Sequence, residues 1–280
     1  MPITVCKDRL IPLNIIATFT RQNHVPLKIG IFGDIHEDVT SLTLTLKLLE
    51  SEKCDDLVCL GDIVGIDTTD YGHKATRDAE TCIRLVKENC TTVVVGNHDL
   101  FAIKKVPFFT AGFDYPPCWY SLDLLERQKR SANALWDYTP AEEKIALSET
   151  AIAYLNNLPE FAILSSGRYS FLFSHHLYPD VSGSTRGMPL WLPDTWRHLS
   201  WMKKQGCTIG VSGHTHLRGT LTSTWIHFSH TAKNPLFINH QRKWLTCLPV
   251  TRGRVPSGCL VLDSEALTLS IRFLEPNIQP

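Results

Sequence analysis

Seven side chains able to bind a metal recur in five short clusters. They are Asp34 and His36 in Gly33-Asp34-Ile35-His36, Asp62 in Gly61-Asp62, Asn97 in Gly96-Asn97-His98-Asp99, His175 in Ser174-His175-His176, and His214 and His216 in Gly213-His214-Thr215-His216. Taken singly, each is an ordinary loop residue: Asp62 would open a turn, and Asn97 or Asp99 would cap a helix. Recurring in order, they read as one donor set. Carboxylate, imidazole and amide oxygen together suit Mn, Fe, Zn or Ni rather than Ca. Seven donors are too many for one tetrahedral zinc, but reasonable for two ions that share a carboxylate. Two such ions, about 3.5–4 Å apart, clamp a phosphoryl group and ionise a bound water. In extended chain, alternate residues point the same way, so Asp34 and His36 are expected to reach one ion together. His214 and His216 would do the same, or divide between two ions if the loop curves.

Each cluster follows an apolar run: Leu27–Phe32, Asp56–Leu60, Thr91–Val95, Tyr169–Phe173 and Cys207–Val211. The runs are continuous rather than alternating, as in strands covered on both faces. Ligands of parallel α/β sheets bind beyond the carboxyl ends of the strands, so the five clusters are expected at one rim. Residues 74–88 carry Ala75, Ala79, Cys82, Ile83 and Val86 at helical spacing. Residues 41–49 alternate like a strand. A parallel pair needs a long crossover, however, and Leu42, Leu46 and Leu49 share one helix face behind a capping Asp38, so a helix is expected there. Another is expected over Pro193–Lys204. Short β-type runs at 220–228, 258–262 and 267–274 suggest a second sheet.

Residues 100–160 have no core-strand signal and read as a mainly helical insertion. Thr139-Pro140-Ala141-Glu142 has the form of a capped helix start, with the helix ending before Pro159. The insertion's aromatics are expected to pack its helices, with a base-stacking pocket as the sharper alternative. Residues 1–26 read as an N-terminal extension. Lys7, Arg9 and the run Leu10–Phe19 loosely resemble a leader, but Pro12, Asn14 and Thr18 interrupt it and no small-x-small site follows.

The 280 residues are 43% hydrophobic, enough for a full α/β core spanning 27–280. Lys and Arg number 28, matched by 28 Asp and Glu, so bulk charge draws the chain to neither nucleic acid nor membrane. No apolar stretch is long enough to span a bilayer. Nine cysteines form no CxxC pair and several sit in apolar runs, which suits buried thiols in a reducing, cytoplasmic compartment.

Together the clusters resemble the calcineurin-like metallophosphoesterase superfamily, and its small prokaryotic-type phosphodiesterases in particular. The motifs run from 33 to 216. The resemblance implies a four-layer α/β/β/α sandwich with two mixed sheets and a helical insertion. It also implies roles. Asp34, His36 and His216 would hold one metal; Asn97, His175 and His214 a second; Asp62 would bridge. A bridging hydroxide would attack phosphorus in line, and His98 would protonate the leaving oxygen or stabilise the transition state. Manganese would be the usual activator in vitro. The substrate would be a small phosphorylated compound, with nucleotides among the candidates.

Two departures stand out. Glu37 occupies a position where many relatives have Gly, and would narrow the pocket or add charge there. The second motif reads Gly61-Asp62-Ile63-Val64-Gly65-Ile66-Asp67, so it lacks at position 65 the Asp, and next to it the Arg, of the protein Ser/Thr phosphatases. Asp67 is a possible substitute. His176 is expected to be structural, and Arg242, Lys243, Arg252 and Arg254 to be surface charges unless they meet phosphate. The expected activity is hydrolysis of phosphate mono- or diesters. The competing reading is a protein-binding scaffold on the same fold, like the retromer subunit, but such scaffolds tend to lose ligands and here all are present. A DNA-processing nuclease fits poorly with the neutral charge.

Overall fold

The computed structural model describes residues 5–6, 9–10, 16–21, 27–65, 76–136, 138, 145–166, 169–238, 241–253 and 255–274. A short hairpin, β1 (Val5–Cys6) and β2 (Arg9–Leu10), precedes β3 (Ile16–Arg21). There follow β4 (Lys28–Phe32), α1 (Val39–Ser51), β5 (Asp56–Cys59), α2 (Ala79–Asn89), β6 (Thr92–Val93) and α3 (Asn97–Ala102). The insertion carries α4 (Leu124–Ser131) and α5 (Glu149–Asn156). Then come β7 (Phe161–Ser166), β8 (Tyr169–Ser174), α6 (Leu192–Lys204) and β9 (Ile209–Ser212). The chain closes with β10 (Thr220–Ser223), β11 (Phe228–Thr231), β12 (Leu236–Phe237), β13 (Lys243–Thr246), β14 (Gly258–Asp263) and β15 (Thr268–Phe273).

Two mixed sheets form. One has six strands in the order β12-β15-β14-β4-β5-β6, the other seven in the order β11-β10-β13-β9-β8-β7-β3. Three apolar clusters show how they stack. Ile29, Ile31 and Val58 of the first sheet meet Phe171, Phe173 and Val211 of the second. On the outer face of the six-stranded sheet, Phe32, Cys59 and Val93 meet Leu42 and Leu49 of α1, Cys82 and Val86 of α2, and Leu155 of α5. On the outer face of the seven-stranded sheet, Leu199 and Met202 of α6 meet Phe161, Leu172 and Trp244. Three apolar interfaces between four layers make the α/β/β/α sandwich.

The strands bearing the five clusters do not share one sheet. β4, β5 and β6 run parallel in the six-stranded sheet, while β8 and β9 run parallel in the other. The late β-type runs also divide. β10 joins the seven-stranded sheet through β13, whereas β14 pairs antiparallel with β4, Leu260 opposite Ile31, and β15 follows it. An apolar run reports that a strand is buried on both faces; it carries no information about which distant strand completes its ladder. Ile16–Arg21 adds a parallel strand to β7 at the sheet edge, Ile16 opposite Phe161.

The crossover helix over the alternating leucines is present. Asp38 accepts from Ser41 N at 3.1 Å and Ser41 Oγ at 2.9 Å, and Leu42, Thr45 and Leu49 are buried beneath it. The requirement for a crossover outweighs the local period. The insertion is less helical than expected. The start at Thr139-Pro140-Ala141-Glu142 lies outside the described residues, but residues 145–148 are not helical and α5 begins at Glu149. Ser148 supplies the cap, its Oγ accepting from Ala151 N at 3.2 Å. Earlier in the insertion Pro107, Pro116 and Pro117 deny backbone donors, and edge-to-face packing of Phe113, Tyr115 and Trp119, with centroids 4.7–5.3 Å apart, orders the chain instead. Eight of the nine cysteines, from Cys54 to Cys259, are free thiols, five of them buried. No helix among the described residues is long and apolar enough to cross a membrane.

Candidate metal centre

The loop after β4 lies along the loop after β5 and extends their pairing beyond the strands. Asp34 N donates to Gly61 O at 3.0 Å, Ile35 N and His36 N to Asp62 O at 2.8 and 3.0 Å, and Glu37 N to Ile63 O at 3.0 Å. Gly213 N donates to His175 O at 3.0 Å, extending the pairing of β8 and β9, and the second sheet is stitched to the first by His214 N, which donates to both oxygens of the Asp34 carboxylate at 3.0 and 2.9 Å. These bonds over-determine a strained backbone. Asp34, His36, Glu37, Asp62, His214 and His216 all have left-handed φ, between 46° and 67°. Each costs about 1–2 kcal/mol in a residue with a Cβ. The paired donors therefore converge through curved turns. The extended alternation expected from their i, i+2 spacing is not what brings them together, because the ladder to Asp62 bends the chain at Asp34.

All seven expected ligands meet at this rim. His216 Nε2 lies 3.3 Å from Asp34 Oδ1 and 3.1 Å from His36 Nε2. His175 Nε2 lies 3.1 Å from Asp62 Oδ2 and 3.1 Å from His214 Nδ1. Asp62 Oδ2 reaches the first group too, 3.8 Å from His36 Nε2. Among the described residues, three sets converge with ligand atoms within 4.8 Å of one another: Asp34, His36 and His216; Asp62, His175 and His214; and His36, Asp62 and His98. His214 and His216 divide between the first two sets, the second of the two arrangements open from the sequence.

The donors are presented as a metal requires. His36 Nδ1 donates to Gly65 O at 2.7 Å and His175 Nδ1 to Leu60 O at 2.8 Å, which turns each Nε2 lone pair toward the cluster. Asp62 Oδ1 accepts from His98 N at 2.9 Å, leaving Oδ2 to the imidazoles. Asn97 Nδ2 donates to Tyr138 Oη at 3.2 Å, while Asn97 Oδ1 is buried with no hydrogen-bond partner in the protein. A buried acceptor left so is costly unless it coordinates something. A Cβ built on Gly183, at φ 78°, would lie 2.6 Å from His214 Nδ1 and 3.1 Å from that same Asn97 oxygen, so glycine is needed where this loop passes the site. The arrangement fits a pair of divalent ions on residue chemistry alone.

Burial would raise both carboxyls, but the neighbouring imidazoles outweigh it and hold Asp34 and Asp62 below the ordinary carboxylate range. Burial lowers His36 to about 3, helped by the charge of His98, and lowers His214 strongly, helped by His176 and His175. His175 goes the other way: burial opposes its charge, yet Asp62 and Asp34 raise it to about 10. Asp99 is braced rather than ligating. Its Oδ1 accepts from Ile63 N and Val64 N at 2.8 and 3.1 Å and its Oδ2 from Gly96 N at 3.0 Å, and burial, then the Asp62 charge, pushes it up to about 7.

His98, the second residue of α3, lines a cavity of about 370 Å³ together with Asp62, His214 and His216. Its ring packs edge-on against His36 at 4.8 Å and Tyr138 at 5.2 Å. A Cβ on Gly65 would fall 2.7 Å from His98 Nδ1, so the position that is Asp in the protein phosphatases here holds a bare backbone against the ring. Asp67 lies outside the described residues. His176 is buried, donates from Nε2 to Gly187 O at 3.0 Å and packs 4.4 Å from His214, a bracing role.

Glu37 neither narrows the cavity nor faces it. Its Oε1 accepts from Gly65 N at 3.1 Å and its Oε2 lies 3.8 Å from Arg77 Nε. Arg252 binds Asp38, Nε to Oδ2 at 3.0 Å, Arg242 Nε donates to Cys207 O at 2.7 Å, and Lys243 Nζ to Phe237 O at 3.0 Å. Arg254 is outside the described residues. The sequence reading missed Trp136, Tyr138 and Gly183. Tyr138 stacks on Phe101 at 3.9 Å, donates to Asn97 O at 3.1 Å, and so joins the insertion to the metal rim. Only its position in an aromatic-rich insertion hinted at this.

The family model for calcineurin-like phosphoesterases matches residues 27–218. No curated protein matches the chain. Among solved structures, a metallophosphoesterase from Sphaerobacter thermophilus is 18% identical with a TM-score of 0.59, over 91% of this chain and 90% of that one. A hypothetical protein from Pyrococcus horikoshii OT3 is 12% identical with a TM-score of 0.56, over 90% and 89%. At such identities the likeness speaks for the fold alone.

Proposed function

This chain belongs to the calcineurin-like phosphoesterase family, and from that membership we propose that it hydrolyses phosphate esters of small molecules at two divalent transition-metal ions. The observation that carries the reading is the pair of donor sets that share Asp62. Asp34, His36 and His216 would hold one ion, and Asn97, His175 and His214 the other, with Asp62 in reach of both. When bound, such a pair supplies Lewis acidity toward the phosphoryl oxygens and an ionised water as nucleophile. The protein supplies orientation. The carbonyls of Gly65 and Leu60 fix the imidazoles of His36 and His175, and Tyr138 turns the Asn97 amide inward. His98, facing the cavity, holds the proton that the leaving oxygen takes up. The mixed N and O donors suit Mn, Fe, Zn or Ni, with Mn the activator expected in vitro. Nucleotides are among the candidate substrates. Metal analysis combined with a chromogenic phosphodiester assay tests the proposal: bound transition metal and Mn-stimulated turnover are expected, and the lack of both would overturn it in favour of a binding scaffold.

A further inference from the structure

A tryptophan stands at the mouth of the metal cavity without serving the core. Trp136 is 40% exposed, while its neighbour Leu135 is 4% exposed and packs inward. The indole centroid is 6.5 Å from His98 and 6.0 Å from His214, at interplanar angles of 64° and 69°, so neither imidazole lies face to face with it. The side chain is held by a backbone latch. Trp136 N donates to Ser184 O at 2.9 Å, Arg186 N to Ala134 O at 3.0 Å, and Arg186 Nε to Leu135 O at 3.0 Å. Leu135 and Thr185 form an antiparallel bridge between them. Met188, Pro249 and Val255 add apolar surface to the same cavity, whose 370 Å³ is within the range of small-ligand pockets.

We propose that Trp136 is a stacking platform for the leaving group, and that this group carries a flat aromatic ring. The inference rests on the phosphoesterase reading above. His98 is the proton donor of that reading, and Trp136 stands beside His98, so a leaving group protonated there passes the indole. A pre-positioned indole loses little entropy on contact, and an aromatic ring gains more from it than an alkyl chain does. Two kinds of alcohol share this chemistry, a nucleoside and a simple phenol.

The test compares three methyl phosphate diesters whose leaving alcohols are adenosine, phenol and n-butanol, in the Mn-loaded wild type and in W136A and W136F. Each ester is compared with itself across variants, which cancels its intrinsic reactivity. In W136A the ratio of kcat/KM for a ring-bearing ester over the butyl ester is expected to fall by about five- to 150-fold, the range that base–aromatic stacking spans. W136F is expected to recover most of it. A fall for the adenosine ester alone identifies a nucleobase, and a fall for the phenyl ester alone an aryl group; either supports the platform. Indole fluorescence gives a second readout: quenching by adenosine monophosphate in the wild type and its reduction in W136F. An unchanged ratio in W136A, with melting temperature preserved, would overturn the platform and leave the hydrolase reading intact. Failure of the Mn-loaded wild type to turn over any of the three esters would overturn both.

Discussion

The metal rim and the insertion that leans on it are ordered by different physics. At the rim the carboxylates are buried and bound to backbone: Asp62 accepts from His98 N, Asp34 from His214 N, and Asp99 from three amides. Strained φ values at six non-glycine residues persist because these bonds leave no alternative. In the insertion, order comes from aromatic packing and a short backbone latch, such as the stack of Tyr138 on Phe101 and the three hydrogen bonds around Trp136. Under the proposed function the rim would carry the chemistry common to phosphate esters. The insertion touches it at Asn97 and His98, where the substrate's departing half would be recognised. Under that reading a reaction and its selectivity would lie in regions ordered by different contacts.

Substitutions put this contrast to the test. The largest effect is expected for Asp62→Ala, which removes the donor shared by both sets; turnover should disappear and metal content should drop, by elemental analysis. Near-normal activity there would refute the ligand assignment. His98→Ala should cost about 10²–10⁴-fold in kcat, the range of general acid catalysis. The loss should shrink for esters with acidic leaving groups, which need no proton; a loss independent of leaving group would remove His98 from that role. On the insertion side, Tyr138→Phe keeps the stack on Phe101 but deletes both contacts to Asn97, and should lower metal affinity or activity about tenfold. An effect as large as that of Asp62→Ala would erase the distinction between the two regions.

The smallest effect concerns stability alone. Glu160 accepts from the amides of Phe108 and Phe109 inside the insertion, and burial pushes its carboxyl up to about 7 from an ordinary 4.5. The folded state therefore retains a proton that the unfolded state releases. Stability from this group is full below about pH 4.5 and declines as the pH rises through about 7, by up to about 3 kcal/mol. Melting temperature should fall across that window, and Glu160→Gln should flatten the fall without altering metal content. An identical pH slope in the variant would remove Glu160 as its source.

How much of this was legible from the residues follows the same divide. The candidate donors are single residues after apolar runs, and their types, order and glycine neighbours were enough to nominate them together. The helix over residues 39–51 was legible once the need for a parallel crossover was set against its strand-like alternation. The insertion was not legible, because aromatic packing has no fixed sequence period and proline removes the hydrogen-bond pattern that would supply one. Trp136 and Tyr138 looked like any other aromatics in a crowded segment.

Residue type and local periodicity supplied the candidate donors, their order along the chain, the buried strands and the crossover helices; the layered sandwich and the family came through the likeness of the five clusters to the calcineurin-like phosphoesterases, and the family model over residues 27–218 bears that out. Only the tertiary structure decided that two sheets rather than one present the clusters, that β14 pairs with β4, that His214 and His216 part company, and that Gly183 and Tyr138 close around Asn97. Those choices depend on contacts between residues far apart in the chain, and a left-handed turn at Asp34 is dictated by the backbone of Asp62 against which it lies. The five clusters supply the candidate donors; the pairing of distant strands brings them to one point.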